Sequence, residues 1–131
     1  MTWLWDTNVL SELARPSPNA GVLTWASSAS VATVSVVTLE EIAYGLAWRP
    51  NPRIRTWFEQ FTALHCSILP ITSEIALRCG QLRGELAARG ATRSQADMLI
   101  AATAQVHALT VVTRNVRDFE GCMVPVLNPF T

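Results

Sequence analysis

Five short apolar runs alternate with helix-length segments along this chain, and that alternation limits the folds open to it more than any other feature. The runs are Trp3-Leu4-Trp5, Val31 to Val37, Ser67 to Ile71, Thr110 to Thr113 and Val124 to Leu127. They are short, and their β-branched and aromatic residues suit a buried, pleated strand. The intervening segments read as helices. Val9 to Ala14 predicts a short one, ended by Arg15-Pro16-Ser17-Pro18-Asn19, and Asn19 is placed to cap a second through about Ala29. Thr38 is placed to cap a helix running to Trp48, and another covers Arg53 to Leu64. From Ser73 to Arg89, Ile75, Cys79, Leu82 and Leu86 recur at helical spacing, and Gly90 supplies the stop. Ser94 opens a helix over Ala96 to Ala108 that is apolar nearly all round and is therefore expected to be buried. Strands alternating with helices predict an α/β domain with a mostly parallel sheet, and the length suits a single domain over residues 1–131.

Composition narrows the function. Half of the residues are apolar and 15% are charged, which excludes a disordered tail or a polyelectrolyte binder. Ten acids balance ten basic residues, so a globally basic nucleic-acid binder is excluded as well. All ten basic residues are arginine. Without lysine there is no Schiff-base chemistry and no P-loop, and the phosphoacceptor receiver domain, which also gathers acids at a sheet edge but relies on a lysine, is disfavoured. His65 and His107 lack partners at useful spacing, and Cys66, Cys79 and Cys122 form no C-x-x-C pair, so these read as core or surface residues. There is no basic leader followed by an apolar stretch, and no run approaches the roughly 20 apolar residues of a bilayer span, so a cytoplasmic protein with no membrane partner is expected.

The acids carry the signal. Asp6 directly follows the first strand, Glu40 and Glu41 open the helix after the second, and Asp118 follows the fourth together with Asn115. In a parallel sheet these positions lie at the carboxyl edge, where open α/β sheets bind ligands. Asp97 sits in the first turn of the helix leading into Thr110, and that turn lies at the same edge. Each acid also has a local reading. Thr38-Leu39-Glu40-Glu41 and Ser94-Gln95-Ala96-Asp97 fit a capping box, Asp6 suits a cap for the next helix, and Asp118 suits a surface loop.

The joint pattern favours a site. Asp97 precedes Met98-Leu99-Ile100, and Asp6 follows a tryptophan-rich strand, so both are drawn inward. Gathering like charges in the interior is costly unless a cation or proton neutralises them. Carboxylate and water oxygens suit Mg²⁺ or Mn²⁺, and no His/Cys cluster competes for zinc. Such a site performs phosphoryl chemistry by activating water and offsetting charge on phosphate oxygens.

Taken in order, Asp6-Thr7-Asn8, Thr38-x-x-Glu41, Ala96-Asp97-x-x-Ile100-Ala101-Ala102 and Thr113-Arg114-Asn115-x-x-Asp118-Phe119 resemble the PIN-domain family. More narrowly they resemble the VapC and FitB-like toxins of type II toxin–antitoxin systems. The 13–19 stretch Leu-Ala-Arg-Pro-Ser-Pro-Asn and the Asn128-Pro129-Phe130 ending are similar to the FitB branch. The resemblance implies a compact three-layer α/β/α fold with a four- to five-stranded sheet. It implies Mg²⁺- or Mn²⁺-dependent endoribonuclease activity on structured RNA such as tRNA or ribosomal RNA. It also implies a homodimer, held in a larger assembly by a small antitoxin. Asp6, Glu41 and Asp97 match the family's acidic positions. At the fourth, this sequence has Asn115, and Asp118 lies one helical turn on, so Asp118 is expected to complete the site with Asn115 as neutral ligand or orienting group. Thr7, Asn8 and Thr113 are expected to fix the carboxylates, and Glu40 to be a surface neighbour. A catalytically inactive PIN-like subunit of a DNA-binding complex is the alternative, kept open by Asn115.

Arginine offers a planar, permanently charged fork for phosphate. Arg15 and Arg114, close in sequence to the carboxyl-edge elements, are the expected RNA contacts. Trp3 and Trp5 are expected in the core, and Trp48 and Trp57, flanking the 49–53 turn, in the core or in a partner surface.

Overall fold

In the computed structural model, which describes residues 2–131, side-chain alternation along the strands divides the core in two. In β1 (Trp3–Trp5), Leu4 faces one apolar cluster and Trp5 the other. In β4 (Thr110–Val112), Val111 and Val112 divide the same way, as do Val126 and Leu127 of β5 (Val126–Leu127). Successive strand residues point to opposite faces, so each strand must be covered on both sides.

One face is covered by α5 (Ser73–Ala88) and α6 (Gln95–His107), whose Ile75, Cys79, Leu82, Leu86, Met98, Ile100 and Ala101 are buried there. The other is covered by α1 (Thr7–Leu13), α2 (Ala20–Ser27) and α4 (Pro52–His65), contributing Val9, Leu10, Val22 and Phe58. The helix α3 (Val36–Trp48) adds Ile42 and Leu46 to this second cluster. The result is the expected α/β/α layering.

All strand pairings are parallel: β1 with β4, β4 with β5, and β2 (Ala32–Ser35) with β3 (Cys66–Leu69). The registers place Trp3 opposite Thr110 and Ala32 opposite Cys66. The β2–β3 pair packs beside β1 and extends the layer.

Several expected boundaries shift. The second run is a strand only over Ala32–Ser35, because Ser35, not Thr38, caps α3, its side chain accepting from the Val37 amide at 3.0 Å. The Thr38–Glu41 capping box is therefore absent; Thr38 is buried inside the helix. The first helix begins at Thr7 with Asp6 as its cap. Trp3 is only half-buried, stacked edge-on against Trp25 with ring centroids 5.9 Å apart. Trp57 packs flat on Phe61 at 4.6 Å, whereas Trp48 is exposed. The residues 116–119 following β4 form a single 3-10 turn that buries Phe119. Among the described residues no helix is long and apolar enough to cross a membrane.

Candidate active site

The end of β1 and the end of β4 are stitched together at the carboxyl edge by a short network. Asp6 is 5% exposed. Its Oδ1 accepts from the Thr7 amide at 2.8 Å, the cap interaction that starts α1. Its Oδ2 accepts from Thr113 Oγ1 at 2.8 Å and from Asn8 Nδ2 at 3.1 Å. The Thr113 hydroxyl, buried after β4, also accepts from Asn8 Nδ2 and from the Asn115 amide, each at 3.0 Å. Asn8 Oδ1 in turn accepts from the Arg114 amide at 3.0 Å. The side-chain polar atoms of Thr113 and Asn8 are thereby all hydrogen-bonded within the network that holds Asp6.

Glu41 arrives from a third element. Once α3 starts at Ser35, its phase turns Glu41 inward and leaves Glu40 exposed. Thr7 Oγ1 donates to Glu41 Oε1 at 2.6 Å and is hydrogen-bonded to the buried Thr38 hydroxyl at 3.0 Å. Asp97, in the first turn of α6, has its amide capped by Ser94 Oγ at 3.1 Å, and its carboxylate is half-buried. Asp6, Glu41 and Asp97 line one groove of about 460 Å³, with Thr7, Asn8, Asn115, Arg15 and Arg114 also on its wall. Asp118 is not on that wall; it lies in the 3-10 turn and acts on the groove through its charge beside Asp97.

The electrostatics follow from burial of like charges. Burial, opposed by the Thr113 and Thr7 hydrogen bonds and reinforced by Asp97 and Glu41, raises the Asp6 carboxyl to about 6. Asp97 is also raised, first by burial and then by Asp118, against the Ser94 hydrogen bond and Arg93. Among the described residues the one ion pair is Arg15–Glu12 at 3.2 Å, so none of the four acids has a basic side chain bonded to it. Their oxygens are a hard donor set of the kind Mg²⁺ and Mn²⁺ take. No three of the described Asp, Glu, His or Cys side chains are close enough to enclose an ion by themselves. Mg²⁺ is commonly held by one or two carboxylates, with water and phosphate oxygens completing its shell, so the donor set fits such an ion.

Three groove residues escaped the sequence reading. Ser11 and Glu12 both lie about one and a half helical turns from Asp6 on α1, and Phe130 comes from the C-terminal segment. Glu12 is buried, with Oε2 accepting from the Asn19 amide at 2.8 Å and Oε1 pairing with Arg15. An acid at the i+6 position from Asp6 signals this placement only once the start of α1 is known.

The PIN domain family model matches residues 4–120, from β1 through the 3-10 turn, and so spans all four acidic positions. The chain belongs to the PIN-domain family. This PIN domain is 33% identical to the VapC ribonuclease Y4jK of Sinorhizobium fredii over 133 residues, covering 95% of each chain. It is 34% identical to toxin FitB of Neisseria gonorrhoeae over 135 residues, covering 97% of each. Its fold matches the DNA-bound VapBC of Salmonella typhimurium with a TM-score of 0.84, 28% identity and 96% of each chain covered.

Proposed function

We propose that this PIN domain is an Mg²⁺- or Mn²⁺-dependent endoribonuclease and the toxin of a type II toxin–antitoxin pair. The observation that carries the reading is the meeting of Asp6, Glu41 and Asp97, from three separate elements, on one groove where no basic side chain is bonded to them. The ribonuclease and toxin named among its relatives support the same conclusion.

Asp6 and Asp97 would hold the ion, which when bound supplies Lewis acidity to a water and to the phosphate oxygens. Glu41, oriented by Thr7, binds beside them or aligns the attacking water. Thr113 and Asn8 keep Asp6 in a fixed rotamer, so little reorganisation is needed when substrate arrives. Arg15 and Arg114 on the same wall offer guanidinium forks to the RNA backbone. Asn115 is a neutral orienting group there, and Asp118, off the groove wall, raises Asp97 by its charge. The RNA substrate is of the structured class, tRNA or ribosomal RNA. The assembly is a homodimer carrying a small antitoxin, in a complex that engages DNA as its VapBC neighbour does.

The test is cleavage of total tRNA and ribosomal RNA with Mg²⁺ or Mn²⁺ by the wild type, Asp6→Asn and Asp97→Asn. Cleavage by the wild type and loss of it in both folded variants is expected; equal rates in all three would overturn the site. The neutral Asn115 on the groove wall favours one rival, an inactive PIN subunit that serves only a DNA-binding complex. Absence of cleavage by the wild type would support that reading.

A further inference from the structure

The segment around Thr131 is fastened to the start of α2 by several hydrogen bonds. Asn19 Nδ2 donates to the Thr131 carbonyl at 3.0 Å, and Asn19 Oδ1 accepts from the Thr131 amide at 3.1 Å. The Thr131 hydroxyl accepts from the Gly21 amide at 3.2 Å. Gly21 leaves room for this contact: a Cβ there would lie 2.4 Å from the Pro129 carbonyl oxygen and 2.5 Å from Thr131 Cγ2. Between these anchors the Phe130 amide donates to Asn128 Oδ1 at 3.0 Å. The clamp sets a half-buried aromatic ring, Phe130, into the wall of the acidic groove. The Arg114 guanidinium lies over that ring, 5.1 Å from its centroid.

We propose that the Arg114–Phe130 pair is a stacking platform for a nucleobase adjoining the scissile phosphate, and so a determinant of cleavage-site preference. The proposal rests on the ribonuclease reading of the same groove. Unpaired bases stack on aromatic rings and on guanidinium planes, and such stacking accepts every base while favouring those that stack more strongly. The acids deal only with the phosphate, which is identical at every nucleotide. A planar pair on the same wall supplies a base contact that the acids lack, with a modest preference for the base that stacks most strongly. Because the guanidinium lies over the ring, its outer plane is the surface offered to a base, and its charge remains available to the backbone.

The experiment uses a pool of RNA hairpins with randomised loops, cleaved in Mn²⁺, with the cut ends sequenced and KM and kcat measured on the best-cleaved member. Wild type, Phe130→Leu, Phe130→Tyr and Arg114→Lys are compared, with thermal melts to confirm folding. Phe130→Leu keeps apolar volume against the core, and Arg114→Lys keeps the charge. Both are expected to raise KM about tenfold and to flatten the preference at one nucleotide beside the cut, with little change in kcat, while Phe130→Tyr retains both. Cleavage by Phe130→Leu with unchanged preference and KM would overturn the platform and leave the ribonuclease reading standing. No cleavage by wild type would remove that reading and the platform with it.

Discussion

Thr7 Oγ1 donates to Glu41 Oε1 at 2.6 Å, joining the first turn of α1 to the first turns of α3. The same residue's amide donates to Oδ1 of Asp6, the cap of α1. A single threonine therefore sets the spacing of two of the groove carboxylates, Asp6 and Glu41. Thr7→Val preserves shape and removes the hydroxyl. It is expected to lower kcat by roughly 10- to 100-fold, and to cost about 1 kcal/mol of stability. Thr7→Ser should restore most of both, as measured by cleavage kinetics and urea unfolding.

Asp6 makes the metal-free protein sensitive to pH. Its folded carboxyl titrates near 6, against an ordinary 3.8, so between these values the folded form holds a proton that the unfolded form has released. The stabilisation this brings is fully present below about 4 and is lost as pH rises through 6, a total of about 3 kcal/mol. The metal-free melting temperature of wild type should therefore fall between pH 4.5 and 7.5 by more than that of Asp6→Asn. Adding Mn²⁺ at pH 7.5 should raise the wild-type value, and adding it at pH 4.5 should not. Parallel pH profiles for wild type and Asp6→Asn would refute this.

Asp118 raises Asp97 by its charge and does not line the groove. Asp118→Ala should therefore lower cleavage at pH 7.5 far less than Asp97→Asn does. It should also move the acidic limb of the pH–rate profile to lower pH, because Asp97 then loses its proton sooner. A loss equal to that of Asp97→Asn would instead place Asp118 among the ion's ligands.

Gly21→Ala tests the clamp on the C-terminal segment. The added methyl cannot coexist with Pro129 and Thr131 where they stand. Within α2 alanine is the better helix former, by about 1 kcal/mol. The expected result is a nearly unchanged melting temperature with faster amide exchange at Phe130 and Thr131 and a raised KM. An unchanged exchange rate would mean that the helix, not the tail, yields.

How far the sequence carries is clearest residue by residue. Ile75, Cys79, Leu82 and Leu86 are buried on one face of α5, as their spacing alone requires. Ser94 caps α6 and Gly90, at φ 80°, follows the end of α5, because caps and left-handed turns are written in adjacent residues. Thr38 shows the converse. Ser35 and Thr38 are both good caps, and the choice between them follows from β2 pairing with β3 as far as Ser35 opposite Leu69. Thr38 instead supports Thr7 from inside α3. Phe130 lay outside any periodic segment, so nothing local marked it as part of the groove.

The sequence by itself determined the α/β alternation, the helix faces and the placing of Asp6, Glu41 and Asp97 near strand ends or helix starts, since these depend on hydrogen bonds and side-chain periods within a few residues. Only the tertiary structure decided that Asp6 is held by Thr113, 107 residues away, that Asp118 lies off the groove wall, and that Phe130 enters it. Those relations depend on strand order and on which layers pack together. Burial energy summed over the whole core selects both, and no single window of the chain contains it.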